Sequence, residues 1–402
     1  MLYFDCSHIR HFLINNRPLT GIQRVTLNSL VGAWKRLGSG KVKALVFNAA
    51  SASFLAIDVV ELLQLGSSQN AVMQKCEFGD NDAVVLTEFL WDLTAGMATT
   101  SREHFGGARI FRLVYDVIPL SMPQLCPKSW RNKFRKFISS GIKNADFVMT
   151  ISEFSKMDIE KHFPDECVKQ TLTVLKLPHE FIGVHDMLDS AGLLPYQSSP
   201  NSIVSALTFG LEDEPFVLMV GTIDERKNQI AAIRAWNELC SRHGSKVPRL
   251  VFVGGLSSHS ILFKMKMRYA LRSAKKFLHL KKCNDLGLRW LYQHCQFSIF
   301  LSHYEGWGLP VGEGLWFGRP VVSSRSTSLP EVGEQFADYI DSESETSLLA
   351  GLERLLFDDN YRQSRSNQIG QGKFRTWDEF CERMLTSIDQ LMHVDNVGSA
   401  EK

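Results

Sequence analysis

Two glutamates eight residues apart, Glu305 and Glu313, bracket the centre of LSHYEGWGLPVGEGLWFGRPVVSS, where a β-rich run gives way to a helical one near Pro310. Glycines 306, 308 and 312 let the backbone approach a ligand closely, and Pro310 suits a first helical turn. A helix start also offers unpaired N–H groups and the positive end of its dipole. Together these features suit an anionic ligand rich in hydroxyls. Acids that merely complement a helix dipole would account for one glutamate, not for two with Trp307 and the glycines around them. A second cluster lies in VGTIDERKNQI, where a strand ends at Gly221 and a helix opens at Asn228. Arg226 and Lys227 then stand at the carboxyl edge of a sheet, where open α/β folds bind ligands. Arginine presents a planar fork and lysine a point charge, the donors a diphosphate needs. Alone, such a pair is ordinarily a solvated turn; the glutamate segment two strands later in the same sheet reverses that weighting.

The elements that must position these residues alternate along the whole chain. LYFD near residue 2, VKALVF near 42, AVVLT at 83, RIFRLVY at 109, DFVMTIS at 146 and TLTVL at 171 are strands separated by helical patterns, which predicts a parallel α/β sheet. Ser152 can cap a helix through EFSKMDIEKHF. Periodicity fades between 183 and 212 in a Ser- and Pro-containing stretch, the composition of a domain boundary. A second series then runs through FVLMVG, RLVFVGG, FSIFLS, PVVSS and ADYID. The expectation is an α/β fold of two Rossmann-like domains, 1–205 and 206–375. Residues 376–402 supply a last amphipathic helix that crosses back to the first domain.

At 402 residues the chain suits two domains, and two domains imply a cleft. Lys plus Arg number 45 against 43 Asp plus Glu, so there is no global field of the kind nucleic-acid binders carry. Eight cysteines are spread singly with no C-x-x-C pair, which argues against a zinc cluster and a disulfide framework. No apolar run approaches the length of a membrane span, and the opening residues lack a signal-peptide pattern, so a cytoplasmic protein is expected.

These segments resemble the family 4 (group 1) retaining glycosyltransferases of the GT-B fold, whose two Rossmann-like domains face each other across a cleft. The resemblance is carried by E-x7-E at 305–313, the Arg226–Lys227 pair and LPEVGE at 329–334. TGIQRV at 20–25, YDVIP at 115–119 and ISEFSK at 151–156 extend it more loosely into the first half. It implies that Glu305 contacts donor sugar hydroxyls, Glu313 the ribose diol, and Arg226 with Lys227 the diphosphate. Leu309 and the adjoining Gly308 backbone would touch sugar or phosphate, and Gly21 would meet the donor phosphates from the first domain. Thr222, which the donor would also pass, stands where many members carry arginine, so Arg226 would have to supply that contact. Tyr115 stands where histidine is common. The donor implied is a nucleotide sugar, with a leaning towards a GDP-linked hexose such as mannose, and the acceptor a glycan or lipid-linked glycan of a bacterial-type surface polysaccharide. No metal or other cofactor is implied, and no side-chain nucleophile. A nucleotide-sugar epimerase, or a silent GT-B scaffold in a polysaccharide assembly complex, are the alternatives.

Asp116, at the end of its strand, could orient an acceptor hydroxyl; capping the turn before Pro119 is an equal alternative. Asp80-Asn81-Asp82 has the form of a metal-binding D-x-D but precedes a strand instead of ending one, so an exposed turn is expected. GSGKV at 38–42 lacks the remaining residues of a P-loop. Two basic stretches, 128–143 and 264–282, leave peripheral contact with the inner face of the cell membrane open. For the first, core packing of Trp130, Phe134, Phe137 and Ile138 is the favoured reading.

Overall fold

The computed structural model describes residues 1–15, 19–66, 72–88, 99–168, 172–190 and 210–398. One compact unit comprises Met1–Leu177, Asp186–Leu194 and Arg375–Lys402, the other Pro178–His185 and Pro195–Phe374. The chain thus leaves the first unit at Leu177, ahead of the 183–212 window, and most of that window lies outside the described residues. Both units are Rossmann-like α/β domains.

The first sheet runs β4-β3-β2-β1-β5-β6-β7-β8. Its strands are β1 (Leu2–Asp5), β2 (Val42–Asn48), β3 (Ser53–Ile57), β4 (Gln74–Lys75), β5 (Ala83–Leu86), β6 (Arg109–Val114), β7 (Phe147–Thr150) and β8 (Leu172–Val174). Six strands are parallel, but β3 and β4 add an antiparallel edge that the sequence pattern does not announce. Only residues 49–52 separate β2 from β3, too short a link for a crossover helix, so the pair closes as a hairpin with Phe47 opposite Phe54.

The second sheet runs β11-β10-β9-β12-β13-β14 and is parallel throughout. It comprises β9 (Phe216–Val220), β10 (Arg249–Val253), β11 (Phe277–Leu280), β12 (Ser298–Phe300), β13 (Val321–Ser324) and β14 (Asp338–Ile340). β11 lies inside the basic run 264–282, where lysines mask its apolar residues in the sequence. The chain moves outward from β9 to β11 and returns on the other side of β9 as β12, which makes the β9/β12 carboxyl edge a topological switch point. The corresponding point of the first sheet lies between β1 and β5.

Among the described residues, the helices of eight residues or more are α1 (Ser7–Ile14), α2 (Gly21–Leu37), α3 (Lys128–Asn144), α4 (Glu153–His162), α5 (Gln229–His243), α6 (Ile261–Ser273), α7 (Asp285–His294), α8 (Leu309–Trp316), α9 (Glu345–Phe357), α10 (Asp359–Gly370) and α11 (Trp377–Gly398). α3 turns Phe134, Phe137, Ile138 and Ile142 into a core with Val84, Ile110 and Val148, so its apolar stripe is spent on the sheet. α4 is capped by Ser152, whose Oγ accepts from Ser155 N. On the second sheet α5 and α9 bury Trp236, Leu239, Leu352 and Leu355 against Val217, Phe252 and Val322. α11 packs on α2 within the first unit, with Arg36 2.7 Å from Asp378.

Candidate active site

The β9/β12 switch point gathers three of the residues singled out above. β9 is followed by Gly221, whose φ of 142° excludes most side chains; a Cβ on Gly254, just past β10, would lie 2.2 Å from the Gly221 carbonyl oxygen. The strand ends therefore approach backbone to backbone. Asp224 then caps a single 3-10 turn, its Oδ1 accepting from Lys227 N at 3.1 Å, and Asn228 adopts a left-handed φ of 56° before α5 begins. This compact reversal turns Arg226 and Lys227 towards the loop that follows β12.

Arg226 Nη1 lies 2.5 Å and Lys227 Nζ 3.0 Å from the same oxygen, Glu305 Oε1, which also accepts from Ser302 Oγ at 2.8 Å. Arg226 further donates to the Tyr304 carbonyl at 2.7 Å, while the Lys227 ammonium stands 4.7 Å above the Phe300 ring. Burial alone would raise the Glu305 pKa, but the charges of Arg226 and then Lys227 outweigh it and hold the carboxyl at about 2. The result is a buried carboxylate that is ionised at any ordinary pH. Its loop is pinned by the serine-rich segment after β13. Ser324 and Ser326 hydroxyls donate to the Ser302 carbonyl, Ser328 to those of Glu305 and Trp307, and Glu305 N donates to Thr327 Oγ1.

Gly308 precedes α8 with φ 112°, and a Cβ there would sit 2.4 Å from Leu329 Cδ2. That tight passage places half-buried Leu309 first in the helix. Glu313, one turn further, is buried and accepts from the Tyr292 hydroxyl of α7 at 2.8 Å. It therefore has a partner different from that of Glu305. Thr222 is exposed, with its carbonyl taken by Gln229 Nε2 at 3.0 Å.

In the first unit Gly21 opens α2 behind a reciprocal cap in which Thr20 and Gln23 bond each other's polar groups. Gln23 Nε2 also stands 3.1 Å from His8 Nδ1. Asp116 accepts from Ile118 N at 3.0 Å, the capping geometry weighed above. Asp82 closes a turn on Gly79 N just before β5, not after it. Among the described residues no three His, Cys, Asp or Glu side chains converge as metal ligands.

Residues 209–371, the second domain, match the family model described as "Glycosyl transferases group 1". The chain is 24% identical to the O-antigen chain mannosyltransferase B of Escherichia coli over 69% of each protein. It is also 24% identical to the serotype-specific mannosyltransferase WbdA of Escherichia coli over 77% of this chain, which spans 37% of that longer protein. The fold matches WaaG, a glycosyltransferase involved in lipopolysaccharide biosynthesis, at TM-score 0.58 and 13% identity over 96% of this chain and 98% of that one. Trehalose-6-phosphate synthase OtsA aligns at TM-score 0.61 and 10% identity over 97% and 99%. The second domain is thus similar to the group 1 glycosyltransferases.

The fold is GT-B, like that of these structural neighbours. Its sequence does not announce several groups that the structure places at the sheet edges. Glu88, just past β5, accepts from His8 and Ile9 amides at 2.6 and 2.8 Å, and Asp5, at the end of β1, accepts from Ser7. Both carboxyls are buried at the β1/β5 switch point, and burial pushes both pKa values up, that of Glu88 helped by the neighbouring Asp5 charge. Buried Arg112 is brought down to about 10 by the same desolvation, with Asp5 opposing. The Tyr115 hydroxyl donates inward to the Thr87 carbonyl at 2.8 Å. For the second domain a signal did exist in SSRSTS at 323–328, a hydroxyl run between a strand and LPEVGE.

Proposed function

We propose that this protein is a glycosyltransferase that moves a hexose, mannose from a GDP-linked donor being the first to test, onto a glycan or lipid-linked glycan acceptor with retention of configuration and without a metal ion. The observation carrying this reading is the Arg226–Lys227–Glu305 cluster at the switch point of the family-matched domain. The mannosyltransferase relatives support the choice of sugar. Arg226 and Lys227 would receive the diphosphate, helped by the α8 N-terminus, and Glu305 would orient sugar hydroxyls. Glu313 would take the ribose diol. As the sugar–oxygen bond breaks, negative charge grows on the leaving diphosphate, and fixed cations in a partly desolvated site stabilise it. The acceptor hydroxyl attacks from the same face and gives its proton to a donor phosphate oxygen, so no protein nucleophile is needed.

The test is a thermal-stabilisation screen of nucleotide sugars followed by transfer assays with anomer assignment by NMR, since a ligand that binds only the folded state raises its stability. GDP-mannose should stabilise the protein and transfer should persist in EDTA. Release of an epimeric sugar from the donor without acceptor would make the protein an epimerase. Loss in EDTA restored by manganese would overturn the metal-free mechanism.

A further inference from the structure

α6 is two-faced in an unusual sense. It buries Phe263, Met267 and Ala270 against the second sheet, and on the opposite side it leaves four large apolar side chains in solvent. Ile261 is 74% exposed, Leu262 62%, Met265 61% and Tyr269 76%. At about 100° per residue these four fall within one arc of roughly 100°. Lys264 and Arg268 flank that arc on one side and Lys266 on the other, Arg272 lies along it in the last turn, and Lys275 and Lys276 follow. The helix contains no acidic residue. α3, the other basic helix, is different: its apolar stripe is buried, and its exposed positions are charged or polar.

We propose that the exposed face of α6 docks on an anionic lipid bilayer. An apolar strip alone would suit a second copy of this chain equally well, but two copies meeting face to face would bring Lys264, Lys266, Arg268 and Arg272 against their own counterparts. A leaflet of anionic headgroups meets the same arrangement with opposite charge outside and an apolar interior for the central four side chains, while Tyr269 suits the interfacial layer. The segment entering α6 is tied to the site: Ser257 N donates to the Ile223 carbonyl at 3.0 Å, and Ser258 Oγ to Glu225 at 3.4 Å. Docking through α6 therefore brings the Arg226–Lys227 turn to the membrane surface, where an acceptor carried on lipid would be presented. The proposal concerns where the enzyme works and does not depend on which sugar it moves.

The experiment is co-sedimentation of the full chain with phosphatidylcholine vesicles, with and without about one-third phosphatidylglycerol. Wild type should bind the anionic vesicles, less so in high salt, and bind neutral ones weakly. Two variants, Ile261→Ser/Leu262→Ser/Met265→Ser/Tyr269→Ser and Lys264→Glu/Arg268→Glu, should each lose about tenfold or more in binding. Both should keep the wild-type melting temperature and its shift with nucleotide sugar, because every changed side chain lies outside the core and the donor site. Failure of wild type to bind anionic vesicles, or unchanged binding by the serine variant, overturns the proposal. So does a wild-type dimer in light scattering that the serine variant converts to monomer. A nucleotide sugar without effect on an otherwise membrane-binding protein would count against the functional reading and leave this one standing.

Discussion

Glu305 is the counter-ion of two cations, and this gives the site a definite response to the loss of one charge. In Glu305→Gln, Arg226 and Lys227 lose the negative charge they share, so a nucleoside diphosphate no longer competes with a fixed carboxylate. Calorimetry should show the diphosphate binding more tightly, by roughly tenfold for about 1.4 kcal/mol of lost competition, while under the proposed role of Glu305 transfer falls because the sugar hydroxyls lose their charged acceptor. Weaker diphosphate binding would mean that Glu305 orders the two cations and does not compete for them. Acid stability follows from the same geometry. The folded pKa of about 2 lies below the ordinary carboxylate range, so the ion cluster stabilises the fold above that range. That stability is lost as pH falls through it towards 2, amounting to at most about 3 kcal/mol. Wild type should lose more stability than Glu305→Gln between about pH 5 and 2 in denaturant titrations. Under the proposed mechanism Lys227 acts on the leaving charge, so Lys227→Ala should lower kcat by about 10²–10³-fold, with donor affinity falling less because Arg226 and the α8 amides still hold the ground state. Lys227→Arg should rescue only in part, since a fork cannot occupy a point-charge position without shifting. Near wild-type kcat in Lys227→Ala would return this lysine to an ordinary turn residue.

At the scale of elements, the glycine before α8 is where backbone geometry and ligand geometry coincide. Gly308→Ala must place a Cβ at φ 112° and 2.4 Å from Leu329 Cδ2, and such strain costs about 1–3 kcal/mol. The expected outcome is a lower melting temperature together with weaker donor binding, because α8 cannot shift without moving its N-terminal amides; an unchanged donor affinity would separate those amides from the site. The parallel strands and the β9 and β12 loops were legible because apolar runs, glycines and the charged pairs are all local signals. β11 and the β3–β4 edge were hidden, one by lysines and the other by a short turn with no glycine or proline to mark it. The hydroxyl bonds from Ser324, Ser326 and Ser328 to the Glu305 loop span more than twenty residues and leave no periodicity. Nothing in LYFD or AVVLTE reveals that Asp5 and Glu88 meet under the start of α1, because strand order brings them together. Asp116 shows the opposite limit: its two local readings are equally compatible with sequence, and the bond to Ile118 N is one only coordinates display.

The molecule is discontinuous in sequence, since the last helix belongs to the first unit although the whole second unit precedes it. α11 buries Trp377, Phe380, Cys381, Met384 and Ile388, and its Cys381 lies so close to α2 that a Cβ on Gly32 would come within 2.2 Å of the sulfur. Burying five apolar side chains at about 1.5–3 kcal/mol each is comparable with the whole net stability of a domain, about 5–15 kcal/mol. Removal of residues 375–402 should therefore unfold the first unit selectively, leaving the second, whose core is built around Trp236, Phe252 and Leu352, in place. Hydrogen exchange reads this directly: amides of β1, β5, β6 and β7 should lose protection while those of β9, β10 and β12 keep it. The milder Gly32→Val substitution, which forces α11 away without shortening the chain, should lower protection in the same strands to a smaller degree. Equal loss in both sheets would show that the units fold as one cooperative block, and full protection in the truncated chain would show that α11 contributes nothing to the first unit.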